Sequence, residues 1–129
     1  MNLLDQALGI HPQALQLRSQ RLEVLAQNIA NADTPHFKAR DIDFKSVLNA
    51  ASQAEPTIRA TRAGHLTAGS DPAATELGYR VPLNNAVDGN TVEMSIEQAQ
   101  YGKAAAEYQA TLNFLENRFS GLRKALRGD

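Results

Sequence analysis

Residues 96–126, IEQAQYGKAAAEYQATLNFLENRFSGLRKAL, decide the fold. Within them Tyr101, Ala105, Tyr108, Leu112, Leu115, Phe119, Leu122 and Leu126 are spaced 4, 3, 4, 3, 4, 3 and 4 apart. Alternating threes and fours keep one stripe of a helix apolar, and sustained over this length they predict a coiled-coil seam. Such a helix would be about 46 Å long at about 1.5 Å per residue. Ser95 followed by Gln98 fits a capping box at its start. The outward positions carry Ala106, Ala110, Asn113, Phe114, Asn117 and Ser120 where a solvated helix usually carries charge. Small uncharged residues let another backbone approach, so this outer face, with Phe114 on it, is also expected to be covered.

The other end of the chain supplies a match. Residues 1–31 read as helical, with Pro12 suited to a first turn and the main helix expected from about Pro12. Leu15, Leu22 and Ile29 recur every seven residues with Leu25 beside them, which makes a second seam. Leu17 and Val24 form a further seven-residue pair, about 200° round the helix from the first stripe. They are expected to make outer-face contacts, because one partner helix cannot cover two opposite faces. The fold class predicted is mainly α, an antiparallel two-helix coiled-coil hairpin. Its helical domain combines residues 1–34 and 91–129. Residues 35–90 form the long connection, extended and partly β or disordered.

Between the helices the chain turns a corner. Asn28, Asn31, Asp33 and Thr34 all have short polar side chains that bond to nearby backbone, and Pro35 cannot continue a helix. Phe37, Ile42 and Phe44 are then separated by charged residues and should lie against the helices. Residues 45–54 suit a short helix, and Thr57–Thr61 and Tyr79–Leu83 suit short strands, the second limited to an edge by Pro82. Residues 55–90 are too lean in apolar side chains to offset their ordering entropy unaided. Asp88-Gly89-Asn90 is a turn signal.

Composition narrows the class of function. The 129 residues contain no cysteine, so neither disulfides nor thiolate metal sites are available. A net charge of −1 gives no strong attraction to nucleic acid or anionic lipid. No apolar run approaches the roughly 20 residues that span a bilayer. Met1-Asn2-Leu3-Leu4-Asp5 lacks the basic region and apolar core of a cleaved signal, so any export is expected to use a route without one. Two helices with apolar or small residues on their free faces make a marginal monomer, and neighbouring copies would supply the missing stability. A heterologous interface that does not close would build a helical filament.

The residues Asn28-Ile29-Ala30-Asn31-Ala32-Asp33-Thr34-Pro35-His36-Phe37-Lys38 resemble the N-terminal signature of bacterial flagellar rod and hook proteins. Ala39-Arg40-Asp41-Ile42-Asp43-Phe44, Tyr79-Arg80-Val81-Pro82, Asp88-Gly89-Asn90-Thr91-Val92-Glu93 and the heptad C-terminus extend the similarity, closest to the proximal rod members, over almost the whole chain. One departure is His36, where the family commonly has glycine; a turn needing positive φ there suits histidine less. The resemblance implies a structural subunit of the basal-body rod in the periplasmic space, exported without cleavage and polymerised helically around the export channel. Implied partners are further copies of itself, the rod-to-MS-ring junction protein FliE, other proximal rod proteins and the flagellar export gate. It implies no cofactor, no nucleic acid and no small-molecule substrate. The motif residues expected to serve assembly are Asn28, Ile29, Asn31, Thr34, Pro35, Phe37, Lys38, Arg40, Asp41 and Phe44.

Other readings are weaker. Asp41 and Asp43 with His36 form the one cluster resembling metal ligands, but charged bonds from Arg40 and Asp41 to neighbouring subunits are the favoured reading. No phosphate loop or nucleophile motif points to an enzyme. Arg118, Arg123, Lys124 and Arg127 make the C-terminus basic, which the helix dipole explains without nucleic acid. A soluble coiled-coil adaptor or chaperone would use the same heptads, yet it would not need the Asn28–Lys38 corner.

Overall fold

The computed structural model describes residues 7–53, 77–84 and 86–128. Their elements are α1 (His11–Ala30), β1 (Arg40–Ile42), α2 (Phe44–Gln53), β2 (Leu77–Tyr79) and α3 (Met94–Arg127). The strand expected over Thr57–Thr61 lies outside the described residues.

Helix boundaries follow local chemistry, with one exception. Gly9 turns the chain at φ 57° ahead of α1, and Pro12 sits in the first turn, where its missing donor is harmless. Helix α3 ends at Gly128, whose φ of 77° lets its N–H return to the Lys124 carbonyl at 3.1 Å. The exception is the capping box. The N-cap of α3 is Glu93, without a side-chain cap bond, and Ser95 is already inside the first turn. The entry is set upstream instead, where Asn90 Oδ1 accepts the Val92 N–H at 2.7 Å and Glu93 Oε1 accepts the Leu83 N–H at 2.7 Å.

Helices α1 and α3 pack antiparallel as a hairpin. Arg118 donates to the Ala7 carbonyl at 3.2 Å, and the His11 and Phe114 rings lie 4.4 Å apart. Arg18 pairs with Glu107 at 2.6 Å, Arg21 reaches Gln100 at 3.4 Å and Asn28 reaches Glu97 at 3.1 Å. Buried Ala14 and Leu25 occupy the intervening heptad positions of α1, and buried Ala104 does so on α3. The seam therefore lies one residue before most of the expected one on both helices: the 14, 21, 28 row of α1 faces the 97, 104, 111 row of α3, and of the expected α1 residues Leu25 alone keeps its place in it, fully buried.

One residue is a rotation of about 100°. In an antiparallel pair that rotation carries both displaced rows to the same side of the hairpin. Leu15, Leu22, Ile29, Tyr108, Leu112 and Leu122 are half-buried there and Leu115 is buried, while Tyr101, Phe119 (52% exposed) and Leu126 (85%) are open. The physical reason is that arginine–carboxylate pairing and the close approach of alanines set the rotation, whereas apolar periodicity weighs only the leucines.

Leu17 and Val24 lie on the opposite side. They are buried with Ile42, and Phe44, Val47 and Leu48 pack onto the same cluster. The second face of α1 is thus covered by the chain's own β1 and α2, in place of the outer-face contact expected from the sequence. Asp43 starts α2 by accepting the Ser46 N–H at 3.2 Å. Strand β1 pairs antiparallel with β2 in the register Arg40↔Tyr79, Asp41↔Gly78 and Ile42↔Leu77, so Pro82 falls beyond the ladder.

Leu25 is fully buried in the seam, so Leu25→Ala should lower the unfolding free energy by about 2–5 kcal/mol, read by urea denaturation with far-UV circular dichroism. Leu126→Ala should change it by no more than about 0.5 kcal/mol.

Candidate functional site

Asn28 is the centre from which the corner is built. Buried residues with free amides are costly, and every polar atom of this side chain is used. Its Nδ2 donates to the Arg40 carbonyl at 2.7 Å and to Glu97 Oε2 at 3.1 Å, and its Oδ1 accepts the Arg40 N–H at 3.1 Å. The amide thereby completes the edge of β1 that β2 does not pair, and it fastens α1, β1 and α3 at one point.

Glu97 is only 1% exposed, and a carboxylate there requires a cation. Arg80 supplies it, binding Glu97 Oε1 through Nη1 and Asp41 Oδ2 through Nη2 at 2.8 Å. Asp41 is also clamped by Arg21, whose Nε and Nη2 lie 2.9 Å and 3.1 Å from its two oxygens. Burial pushes the Asp41 carboxyl up, but hydrogen bonds from Arg21, the Ile42 N–H and Arg80 outweigh it and leave it below its ordinary value. The Arg21 guanidinium is raised, chiefly by its hydrogen bond to Asp41. Two arginines and two carboxylates make the cluster electrically neutral.

The exit from α1 is held from the far side of the chain. The Asn31 side chain returns to the Gln27 carbonyl at 2.8 Å, and Thr34 donates both its N–H and its hydroxyl to Asn31, each at 3.1 Å. Nδ2 of buried Asn90 then binds the carbonyls of Asn31, Ala32 and Thr34 at 3.0, 2.8 and 2.8 Å. One amide thus gathers three carbonyls that follow the end of α1, two of which also accept backbone N–H groups, from Thr34 and Phe37. His36 adopts φ 62°, the left-handed conformation that favours glycine, and its N–H binds the Asp88 carbonyl at 3.0 Å. Opposite it stands Gly89 at φ 75°; a Cβ there would lie 2.8 Å from His36 Nδ1. Thr91 N–H to the Phe37 carbonyl (3.0 Å), Ala39 N–H to Thr91 Oγ1 (2.8 Å) and Lys38 Nζ to the Gly89 carbonyl (2.8 Å) close the zipper.

The expected motif residues thus separate into groups. Asn28, Asn31, Thr34, Phe37, Lys38 and Asp41 meet in this corner. Pro35 is exposed, and Arg40 turns its guanidinium to the Tyr79 ring at 5.6 Å. Phe44 belongs to the α2 side, beneath the Arg18 guanidinium at 4.4 Å. Asp41, expected to reach a neighbouring subunit, is held inside the chain by two arginines. Asp43 serves as a helix cap, so the Asp41–Asp43 pair is not a ligand set, and among the described residues no group of three or more His, Cys, Asp or Glu could hold a metal ion. No helix of the described residues is long and apolar enough to cross a membrane. Sequence reading missed Arg21, Arg80, Asn90 and Glu97. For Arg21 and Glu97 the available signal was charge of opposite sign on the two long helices; Arg80 and Asn90 lie outside the helices, where no such signal applies.

The Asn28–Lys38 corner falls within residues 8–38, which match the family described as flagella basal body rod protein. The chain is 48% identical over 122 residues to flagellar basal body rod protein FlgB of Cereibacter sphaeroides, covering 95% of this chain and 94% of that protein. It is 40% identical over 134 residues to the protein of that name from Escherichia coli K12, covering 98% and 97%. The Salmonella typhimurium protein is 39% identical over 135 residues, covering 99% and 98%.

Asn28→Asp keeps the shape, removes the donor and sets a second carboxylate against Glu97; it should cost about 3–5 kcal/mol in denaturation experiments. The lowered Asp41 carboxyl adds stability that is fully present above its ordinary pKa of about 3.9 and is lost as pH falls through the lower folded-state value. Acid titration of stability should show that loss, and Asp41→Asn should flatten it.

Proposed function

Because this chain belongs to the FlgB family of flagellar basal body rod proteins, and is a structural component of the rod, we propose that it polymerises helically at the proximal end. There it would join the MS ring and export gate to the rest of the rod. Its place is the basal body, and it assembles with other rod proteins. The finer reading is ours: copies of the chain, FliE and other proximal rod subunits pack against its hairpin in the periplasmic space, after export without a cleaved signal. A soluble adaptor or chaperone would use similar heptads, but this family is a structural one.

One observation carries the proposal. The leucine rows of both helices lie on the same side of the hairpin, with Phe119 and Leu126 open and Leu15, Leu22 and Ile29 half-covered. The chain's own β1 and α2 are already committed to the other side. A monomer thus carries an apolar strip along two helices, and α3, about 51 Å long, outreaches α1 at about 30 Å. Apolar strips of this extent are association surfaces. Copies that bury it gain the area a two-helix core lacks.

The rod reading is tested by locating the chain in isolated basal bodies by electron cryo-microscopy. Density for it next to the MS ring is expected; density confined to the distal rod or hook would overturn the proximal placement. Leu115→Asp puts a charge where the apolar strip meets the seam. It should abolish swimming and incorporation into basal bodies, and normal motility in that strain would contradict the strip's role.

A further inference from the structure

Charge is unevenly placed along the chain. Residues 108–129 hold Arg118, Arg123, Lys124 and Arg127 against Glu116 and Asp129, so the remainder carries a net charge of −3. All four cations are exposed, and among the described residues none of them pairs with a carboxylate. Lys124 and Arg127 complement the dipole in the last turn of α3. That effect falls off within the turn and does not account for Arg118 and Arg123.

The apolar side chains at this end are placed to match. Helix α3 passes the start of α1 where the Phe114 ring meets His11 and Arg118 reaches the Ala7 carbonyl. Beyond that level Phe119 and Leu126 are exposed and Leu122 is half-buried. Around the helix these three fall within about 60° of one another. Arg118 stands about 40° to one side of them and Arg123 about 40° to the other, with Arg127 next to it. An apolar stripe with cations on both flanks suits a helix lying in a lipid–water interface. Apolar side chains enter the acyl boundary there, while arginine stems lie along it and carry their heads up to the phosphates.

We infer that the last turns of α3 dock on an anionic lipid surface, with Phe119, Leu122 and Leu126 inserted and Arg118, Arg123 and Arg127 on headgroup phosphates. The helix end is convex and its cations sit on both flanks, so a protein partner would need an apolar groove with carboxylates along both rims. A bilayer containing anionic lipid offers that pattern in every direction. The helix lies on the surface and does not cross it, since no helix of the described residues is long and apolar enough to do so. The same three side chains are the free end of the apolar strip, so lipid and neighbouring copies compete for them. The docked state therefore belongs to the unassembled chain, and it goes beyond the rod reading without resting on it.

Purified full-length chain is sedimented with vesicles of phosphatidylglycerol and phosphatidylethanolamine, with phosphatidylcholine vesicles, and alone. Sedimentation with the phosphatidylglycerol vesicles well above the other two is expected, falling as salt is raised. Arg123→Gln should weaken the partition about five-fold and Arg123→Gln with Arg127→Gln about thirty-fold, the worth of one and two cations at an anionic surface. Leu126→Ala, at an exposed position, should weaken it with an unchanged circular dichroism spectrum. Lys103→Gln removes an exposed cation of α3 far from the stripe and should leave the partition nearly unchanged. No excess on phosphatidylglycerol vesicles overturns the inference, as does a loss with Lys103→Gln equal to that with Arg123→Gln. Retention on polyglutamate without sedimentation on vesicles also overturns it, by assigning the stripe to an acidic protein. None of these readouts depends on whether the chain is found in basal bodies.

Discussion

Glu97 is a carboxylate closed off from water in a protein with a small core, and the rest of the described structure is arranged to permit it. A buried carboxylate without partners costs several kcal/mol. Here Asn28 and Arg80 satisfy it, Asp41 balances Arg80, and Arg21 balances Asp41. These five residues come from α1, β1, α3 and the segment after β2. No one of those elements can move without exposing a charge. Replacing such a cluster with apolar residues of similar volume is often neutral for stability. Its contribution is therefore to register: it sets which residue of α1 faces which residue of α3, and where the chain between them is pinned.

That register has a consequence for assembly. With arginines, carboxylates and alanines beside Leu25 in the seam, the other leucine rows turn together to one side. The ionic cluster consumes charge inside, and on the proposed reading the apolar strip is left for contact outside. The Asn28–Lys38 corner and Asn90 hold the two ends of the long connection together.

Much of this was legible in the residues. The start of α1 near Pro12 follows from backbone chemistry that depends on immediate neighbours. So does the corner, where Asn31 and Thr34 bond within a few positions of themselves. The family resemblance flagged position 36 as one where glycine is usual, and His36 is found at positive φ. The seam was less legible, because apolar periodicity measures the strongest stripe and not the one that faces the partner helix. Leu17 and Val24 pointed correctly to a second buried face, but their cover is Ile42, Phe44, Val47 and Leu48, more than fifteen positions later.

By itself, then, the sequence determined the helices, their antiparallel pairing, the break at Asn28–Pro35 and the family, since each depends on local preference or on a repeated pattern. Only the tertiary structure decided the rotation of the helices, the partner of each charge and the role of Asn90 at the end of α1. The physical reason is range. A buried carboxylate is tolerable only if its cation arrives, and Arg80 reaches Glu97 by a path through space to which no periodicity along the chain refers.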